Sequence, residues 1–221
     1  TPDFVMGCKR ILISNKYFPT FNRKNVELVT DGIQEITANG IITKDGKERQ
    51  IDCLIYGTGF ITDPRIYLKH FDCVGRNGIE LKQAWKDGAE SYYGIVTKNF
   101  PNLFQLLGPN TILGHNSVIF MIESQVNYIL QLIQTVDKTA TQAIEIKHDA
   151  QDQFNQRVQE QLKGTVWQAG GCSSWYQAAD GKNFSLWPTY TWKYWLETRK
   201  ANVADYKFMS NDAKQSKKQV A

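Results

Sequence analysis

Arg49-Gln50-Ile51-Asp52-Cys53-Leu54-Ile55-Tyr56-Gly57-Thr58-Gly59-Phe60 is the stretch on which the fold turns. Its continuous apolar run, Cys53-Leu54-Ile55-Tyr56, predicts a strand buried on both faces, as in a parallel α/β sheet. The run stops at glycines, which lack a Cβ and tolerate positive φ. Backbone at Gly57-Thr58-Gly59 can therefore approach a flat or anionic ligand closely. A plain strand-to-loop turn is the competing reading of so short a motif.

Upstream, Val26-Glu27-Leu28-Val29, Ile33-Gln34-Glu35-Ile36 and Ile41-Ile42-Thr43 are separated by Asp31-Gly32 and Asn39-Gly40. Those dipeptides favour tight turns, so the region predicts an antiparallel meander that the Asp45-Gly46 turn joins to the apolar run. Downstream, residues 102–107 read as a second buried strand ending in Gly108-Pro109-Asn110, followed by a helix over 117–135. Val118, Ile122, Val126, Ile129 and Ile133 recur at steps of three or four and give that helix one apolar face. Phe154, Val158 and Leu162 recur every four residues among polar neighbours, predicting a surface helix over 150–163. Residues 164–188 are rich in glycine, serine and aromatics and read as loops with a short strand, before a third helix over 189–200. The tail after Phe208, polar and lysine-rich over 212–221, is expected to be disordered.

With 221 residues, 42% hydrophobic and 12% aromatic, the chain can bury a real core. Its formal net charge of +4 comes from cations spread along the sequence, without the basic block that a nucleic-acid partner needs. No stretch reaches the roughly 18 apolar residues of a membrane span. Thr1-Pro2-Asp3 opens no targeting segment, and the missing initiator methionine hints at a start inside a longer reading frame. Cys8, Cys53, Cys73 and Cys172 include no CxxC pair, which suggests neither a zinc site nor a disulfide framework. Reduced thiols in a cytoplasmic protein are the expectation. His70 and His148 have no partner at metal spacing, so no metal is expected.

Four further places could carry chemistry. Gly108-Pro109-Asn110-Thr111 and Gly114-His115-Asn116-Ser117 precede a helix whose unpaired N–H groups and positive dipole end suit an anionic ring edge; Asn116 or Ser117 capping that helix is a compatible alternative. Lys9 and Arg10 are adjacent, so in an extended strand one can grip a phosphate while the other faces a reaction centre. A solvated surface pair is the competing reading. His115 can hydrogen-bond a cofactor or simply stabilise its loop. Trp175 carries an indole N–H able to donate to a sugar or carbonyl, although tryptophan also serves in cores.

Gly7-Cys8-Lys9-Arg10, Asn22 to Val29, Gly57-Thr58-Gly59-Phe60, Asn99-Phe100-Pro101-Asn102-Leu103-Phe104 and Gly108-Pro109-Asn110 together resemble, in order and spacing, the C-terminal half of Baeyer–Villiger monooxygenases. Ser173-Ser174-Trp175-Tyr176 and Tyr194 to Arg199 resemble that family's end region. The resemblance implies an α/β chain: a partial FAD/NAD(P)-binding fold of a two-dinucleotide-domain flavoprotein, with a small antiparallel β unit and C-terminal helices. Residues 1–56 would end the NADPH-binding domain, 57–208 would complete the FAD-binding domain, and 209–221 would be the tail. By resemblance, Lys9 contacts the 2′-phosphate of NADPH, and Arg10 is the catalytic cation that stabilises the anionic flavin peroxide and the tetrahedral intermediate. Gly57, Thr58 and Gly59 would approach FAD, Asn110, Thr111 and the helix start would face the isoalloxazine, and Trp175 would hydrogen-bond the nicotinamide cofactor. His115 is carried as a further cofactor contact.

Two departures from the family pattern matter. The sequence contains no GxGxxG fingerprint, so the pyrophosphate of FAD has no helix start to rest on and the chain alone is expected to bind FAD weakly or not at all. Gln177 to Lys182 replaces the family's glycine-rich lysine loop, which puts that NADPH contact in doubt. The expected activity is part of a flavin-dependent monooxygenase that uses NADPH and O2 to insert oxygen beside a ketone carbonyl, or to oxygenate nitrogen or sulfur. A non-catalytic remnant acting as a binding module is the alternative. The partners expected are a small ketone or heteroatom substrate and the missing N-terminal dinucleotide-binding region, and uncovered sheet edges would favour self-association.

Overall fold

The structure, a computed structural model, describes residues 3–70 and 72–210; the expected disorder of 212–221 concerns residues outside that range. The chain divides into two compact units, one of Ile11–Phe60 and one made of the described residues of Thr1–Arg10 and Ile61–Ala221.

The smaller unit holds helix α1 (Tyr17–Thr20) and a sheet of order β1 (Ile33–Ile36), β2 (Gly40–Thr43), β3 (Glu48–Gln50), antiparallel throughout. The expected meander is present with different members, since 26–29 joins no ladder and 48–50 supplies the third strand. Ile36 faces Ile41 across the first turn and Ile41 faces Arg49 across the second. Position 40 requires glycine, because a Cβ there would lie 2.3 Å from the carbonyl oxygen of Arg49. In the second turn the Thr43 hydroxyl donates to Asp45 (2.5 Å) and the Arg49 guanidinium donates to Thr43 (2.5 Å). The Thr43 hydrogen bond is the main cause holding the Asp45 carboxyl below its ordinary range.

The strand expected over 49–56 does not form. Only its first residues belong to β3, and 51–63 has no regular structure, with Ile55 87% and Phe60 95% exposed. A strand buried on both faces needs a hydrogen-bonded neighbour on each side, and among the described residues no strand pairs with Cys53-Leu54-Ile55-Tyr56.

The larger unit runs through short helices α2 (Pro64–Tyr67) and α3 (Leu81–Ala84) to helix α4 (Val118–Thr139), strand β4 (Ala143–Ile146), helices α5 (His148–Lys163), α6 (Val166–Ala169) and α7 (Thr191–Thr198), and strand β5 (Tyr206–Met209), which pairs antiparallel with β4. All three expected helices stand close to where the sequence reading places them. In α5, Phe154, Val158 and Leu162 are buried as their spacing requires. In α4 the buried face is Met121, Ser124, Gln125, Tyr128 and Leu132, one step round the helix from the expected stripe; Val126 and Ile133 remain exposed. That face wins because α7 and an aromatic cluster pack on it, and because Gln125 finds hydrogen-bond partners there.

The core is built from tyrosines. Tyr92, Tyr93, Tyr128, Tyr194 and Tyr206 are all buried, in contact with Phe154 and Trp187, with ring centroids such as Tyr93–Phe154 at 4.5 Å and Trp187–Tyr194 at 5.0 Å. Their hydroxyls are satisfied internally: Tyr92 donates to Asp205 (2.7 Å), Tyr194 to the Tyr93 carbonyl (2.6 Å) and Tyr206 to Tyr128 (3.0 Å). A second cluster gathers Leu68, Leu81, Trp85, Phe100 and Phe184. The strand expected over 102–107 is absent, since Asn102 and Leu107 take positive φ (58° and 53°) that an extended strand cannot contain. Asn102 instead ties the turn to β4 through both its N–H and its side-chain oxygen, each 3.0 Å from Ile144.

Candidate functional site

The loop from Leu107 to Ile112 is stitched down at almost every residue. Leu107 N–H donates to the buried Gln125 side chain (2.9 Å), Gly108 N–H to Gly94 O (3.2 Å) and Asn110 N–H to Phe184 O (2.7 Å). Ile112 pairs in parallel with the 185–187 stretch, donating to Ser185 O (2.8 Å) and accepting from Trp187 N–H (2.9 Å). Gly94 lies so close beneath that a Cβ on it would sit 2.2 Å from Thr111 Cγ2. Asn110 and Thr111 are buried, and their side chains serve the loop itself. The Asn110 amide donates to Asn183 O (2.9 Å) and Leu186 O (3.1 Å), and the Thr111 hydroxyl to Gly108 O (2.6 Å). The backbone of Gly108 and Pro109 lines a cavity of about 520 Å³.

At the start of α4, Ser117 Oγ accepts the Ile119 N–H (3.3 Å) and Asn116 Oδ1 accepts the Ser117 N–H (2.8 Å), so the capping reading is realised. Asn116 also donates to Thr191 at the start of α7 (2.9 Å). His115 is exposed and its ring stacks on Trp167, 6.2 Å away and tilted by 17°.

Lys9 and Arg10 lie beyond a turn and not in a strand, with Cys8 N–H donating to Val5 O (3.1 Å). Both are exposed, and the Lys9 ammonium sits 4.5 Å from the centre of the Phe4 ring. The expectation of four reduced thiols is overturned: Cys8 and Cys172 form a disulfide, leaving Cys53 and Cys73 as thiols. The two sit 164 residues apart in sequence and meet because Val5 N–H donates to Gly170 O (3.1 Å), which lays the N-terminal segment along the 170–172 loop. Three residues on, Trp175 is 41% exposed, packs its ring 4.5 Å from that of Tyr176 and also lines the cavity. Burial pushes the Tyr176 hydroxyl up from its ordinary pKa, while the positive charge of Arg10 acts in the opposite direction. Trp175 and the Gly108-Pro109 backbone thus line one cavity of the larger unit, and Arg10 lies two residues beyond the bridged Cys8.

The remaining cavity walls are mostly apolar, among them Ile61, Leu103, Leu107, Ile112 and Phe184. Such walls fit a flat ring system, and the volume falls within the range of cofactor pockets. A pyrophosphate finds less: the Ile119 and Ser117 N–H groups at the long helix start are already taken by side chains. Gly57, Thr58 and Gly59 belong to the smaller unit, exposed, with open space where a Cβ would stand on either glycine. In the loop that replaces a glycine-rich one, Lys182 is ion-paired with Glu90, and Asp180, held below its ordinary pKa chiefly by the Lys182 N–H, also meets Arg65 (3.4 Å). Among the described residues no cluster of three or more His, Cys, Asp or Glu could hold a metal, and no helix is long and apolar enough to cross a membrane.

Sequence reasoning missed Gln125, Asn183, Gly94 and the Cys8–Cys172 pair. Gln125 carries a signal in retrospect, as a polar residue in the middle of an apolar helix face; the other three depend on contacts remote in sequence.

No protein-family model matches the chain. It is 41% identical over 223 residues to a Baeyer–Villiger monooxygenase of Pseudomonas aeruginosa, covering 97% of this chain and 42% of the relative. A relative in Aspergillus niger, named an FAD-binding monooxygenase, is 37% identical over 210 residues, covering 93% and 34%. Among solved structures, an oxidised steroid monooxygenase bound to NADP superposes with a TM-score of 0.80 at 26% identity, covering 95% of this chain and 40% of that one. The chain spans about two-fifths or less of the length of these proteins. Over nearly its whole length, and in both sequence and fold, it is the counterpart of a C-terminal portion of the Baeyer–Villiger monooxygenases.

Proposed function

We propose that the chain contributes the C-terminal part of an FAD- and NADPH-dependent monooxygenase that inserts one oxygen atom from O2 beside a ketone carbonyl or onto a heteroatom. The observation that supports this reading is that Trp175 and the Gly108-Pro109 backbone line one apolar cavity, while the Cys8–Cys172 bridge fastens the Arg10 segment to the loop that carries Trp175. Bound FAD would supply the activation of oxygen, a chemistry that side chains alone lack. Around it, the guanidinium of Arg10 would stabilise negative charge developing on a substrate oxygen. Lys9 would hold a phosphate as a point charge, and the Trp175 indole N–H would donate to the nicotinamide cofactor. The apolar walls exclude water and so strengthen each of these interactions. On this reading residues 1–56 end the NADPH-binding domain, 57–208 complete the FAD-binding domain, and Gly57-Thr58-Gly59 would meet FAD only in the presence of the remaining parts of the two dinucleotide folds.

The test is a chimera in which this chain replaces the corresponding C-terminal part of the Pseudomonas aeruginosa relative. It should retain FAD and oxidise NADPH with formation of ester from a ketone panel or sulfoxide from a sulfide panel. Arg10→Ala should retain FAD and lose product formation by about 100-fold or more, the scale of removing one pre-organised charge from an oxyanion. A folded, FAD-loaded chimera that oxygenates nothing on either panel, or an Arg10→Ala variant of undiminished rate, refutes the proposal.

A further inference from the structure

We infer that the Cys8–Cys172 disulfide is a redox-operated tether: oxidised, it fastens the Lys9-Arg10 segment to the loop that carries Trp175 and Tyr176, and reduction by a dithiol lets that segment detach. Its importance for oxygenation rests on the function proposed above; the tether itself rests on packing alone.

Residues 3–10 contain no helix or strand, and Val5 (58%), Met6 (84%), Lys9 and Arg10 are exposed. Only Cys8 is fully buried, packed so closely that a Cβ on Gly170 would lie 2.9 Å from its sulfur. Apart from the bridge, the backbone hydrogen bond joining this segment to the 170–172 loop is Val5 N–H to Gly170 O at 3.1 Å. A partly exposed hydrogen bond of this kind holds a segment weakly, so the covalent link is the principal anchor. At the other end, Cys172 is followed within four residues by Trp175 and Tyr176, the latter within the electrostatic reach of Arg10. The bridge therefore ties the segment that carries Arg10 to the segment that carries Trp175.

Access makes the reduction directional. Cys172 is half-buried whereas Cys8 is 0% exposed, so an incoming thiolate attacks the Cys172 sulfur and the Cys8 sulfur leaves. The second thiol of the reductant then attacks the mixed disulfide and releases Cys172. Cys8 and Cys172 each gain one electron and one proton, and the dithiol becomes a disulfide. Cys53, exposed, and Cys73 lie outside the exchange and serve as internal standards.

The full chain, purified in air, is alkylated under denaturing conditions before and after dithiothreitol, and in parallel its native form is digested with trypsin, which cuts after Lys9 and Arg10. Two alkylated cysteines without reductant and four with it are expected. Cleavage at Lys9-Arg10 should accelerate on the order of tenfold after reduction, following the population of the detached segment. The paired substitution Cys8→Ser and Cys172→Ser should be cut at the fast rate with or without dithiol. Four alkylated cysteines in the untreated chain, or equal cleavage rates in the two redox states, overturn the tether. Neither readout involves flavin, so a catalytically dead chimera leaves this result standing, and an absent tether leaves the oxygenation assay standing.

Discussion

Replacing Gln125 with methionine tests how the α4 face holds the Leu107–Ile112 loop. The glutamine is fully buried; its oxygen accepts the Leu107 N–H at 2.9 Å and its amide donates to the Tyr194 hydroxyl at 3.0 Å. Methionine keeps the length and volume of the side chain, so cavity formation is a minor effect. What is lost is the partner of the Leu107 N–H, at a residue already held at φ 53°, and one of the two hydrogen bonds of Tyr194, which continues to donate to Tyr93 O at 2.6 Å. A stranded, half-buried amide costs about 1–2 kcal/mol and the lost amide-to-hydroxyl bond up to about 1 kcal/mol, giving roughly 2 kcal/mol in all. For a domain of this size that lowers Tm by about 4–8 °C. Thermal unfolding followed by circular dichroism measures the shift, and amide exchange locates it: the Leu107 N–H should exchange on the order of tenfold faster while Ile112 N–H, bonded to Ser185, changes little. A Tm within about 1 °C of the parent, or unchanged exchange at Leu107, would show that Gln125 does not anchor the loop.

Gly94→Ala forces a Cβ to 2.2 Å from Thr111 Cγ2 at φ 67° and should cost more than about 2 kcal/mol in urea unfolding; adding Thr111→Ser, which removes that methyl, should recover a measurable part, and no recovery would place the cost in backbone strain alone. Phe154→Ala empties the centre of the tyrosine cluster and should destabilise by about 3–5 kcal/mol, read from the same unfolding curves. Burial pushes the hydroxyls of Tyr92, Tyr93, Tyr128, Tyr194 and Tyr206 well above the ordinary tyrosine value. Between their unfolded and folded pKa values the folded state binds more protons, so the stability they contribute is intact below pH about 10 and falls as pH rises beyond it, by up to about 1.4 kcal/mol per pH unit for each tyrosine. Tyrosinate absorbance from the buried set should then appear only on unfolding; its full appearance near pH 10 in the folded chain would contradict the burial.

Helices were legible because each carries its own signal. Phe154, Val158 and Leu162 point the same way at any position in space, and Ser117 caps α4 through a contact two residues long. The rotation of the α4 core face was not legible, because Val126 and Ile133 are as apolar as Leu132, and only the packing of α7 decides which of them is covered. Strands failed for a related reason. Cys53-Leu54-Ile55-Tyr56 has the composition of a doubly buried strand, but a strand is completed by hydrogen bonds to neighbours elsewhere in sequence, and composition does not say whether those neighbours are at hand.

The candidate site divides along the same line. Lys9, Arg10 and Trp175 stand out as residue types, and the Cys8–Cys172 bridge joins the segment of the first two to the loop of the third. Asn110 and Thr111 also stand out, yet their side chains turn inward to Asn183, Leu186 and Gly108, so the loop presents Gly108 and Pro109 and uses its polar residues to hold its own shape. A backbone turn of glycine and proline needs such internal bonds to keep its shape, because those residues offer no hydrogen-bonding side chain to anchor it. The same logic explains the N-terminal segment. Lys9 and Arg10 can serve a ligand only if something else fixes the chain beside them, and the one fully buried side chain there is Cys8, whose partner lies 164 residues away.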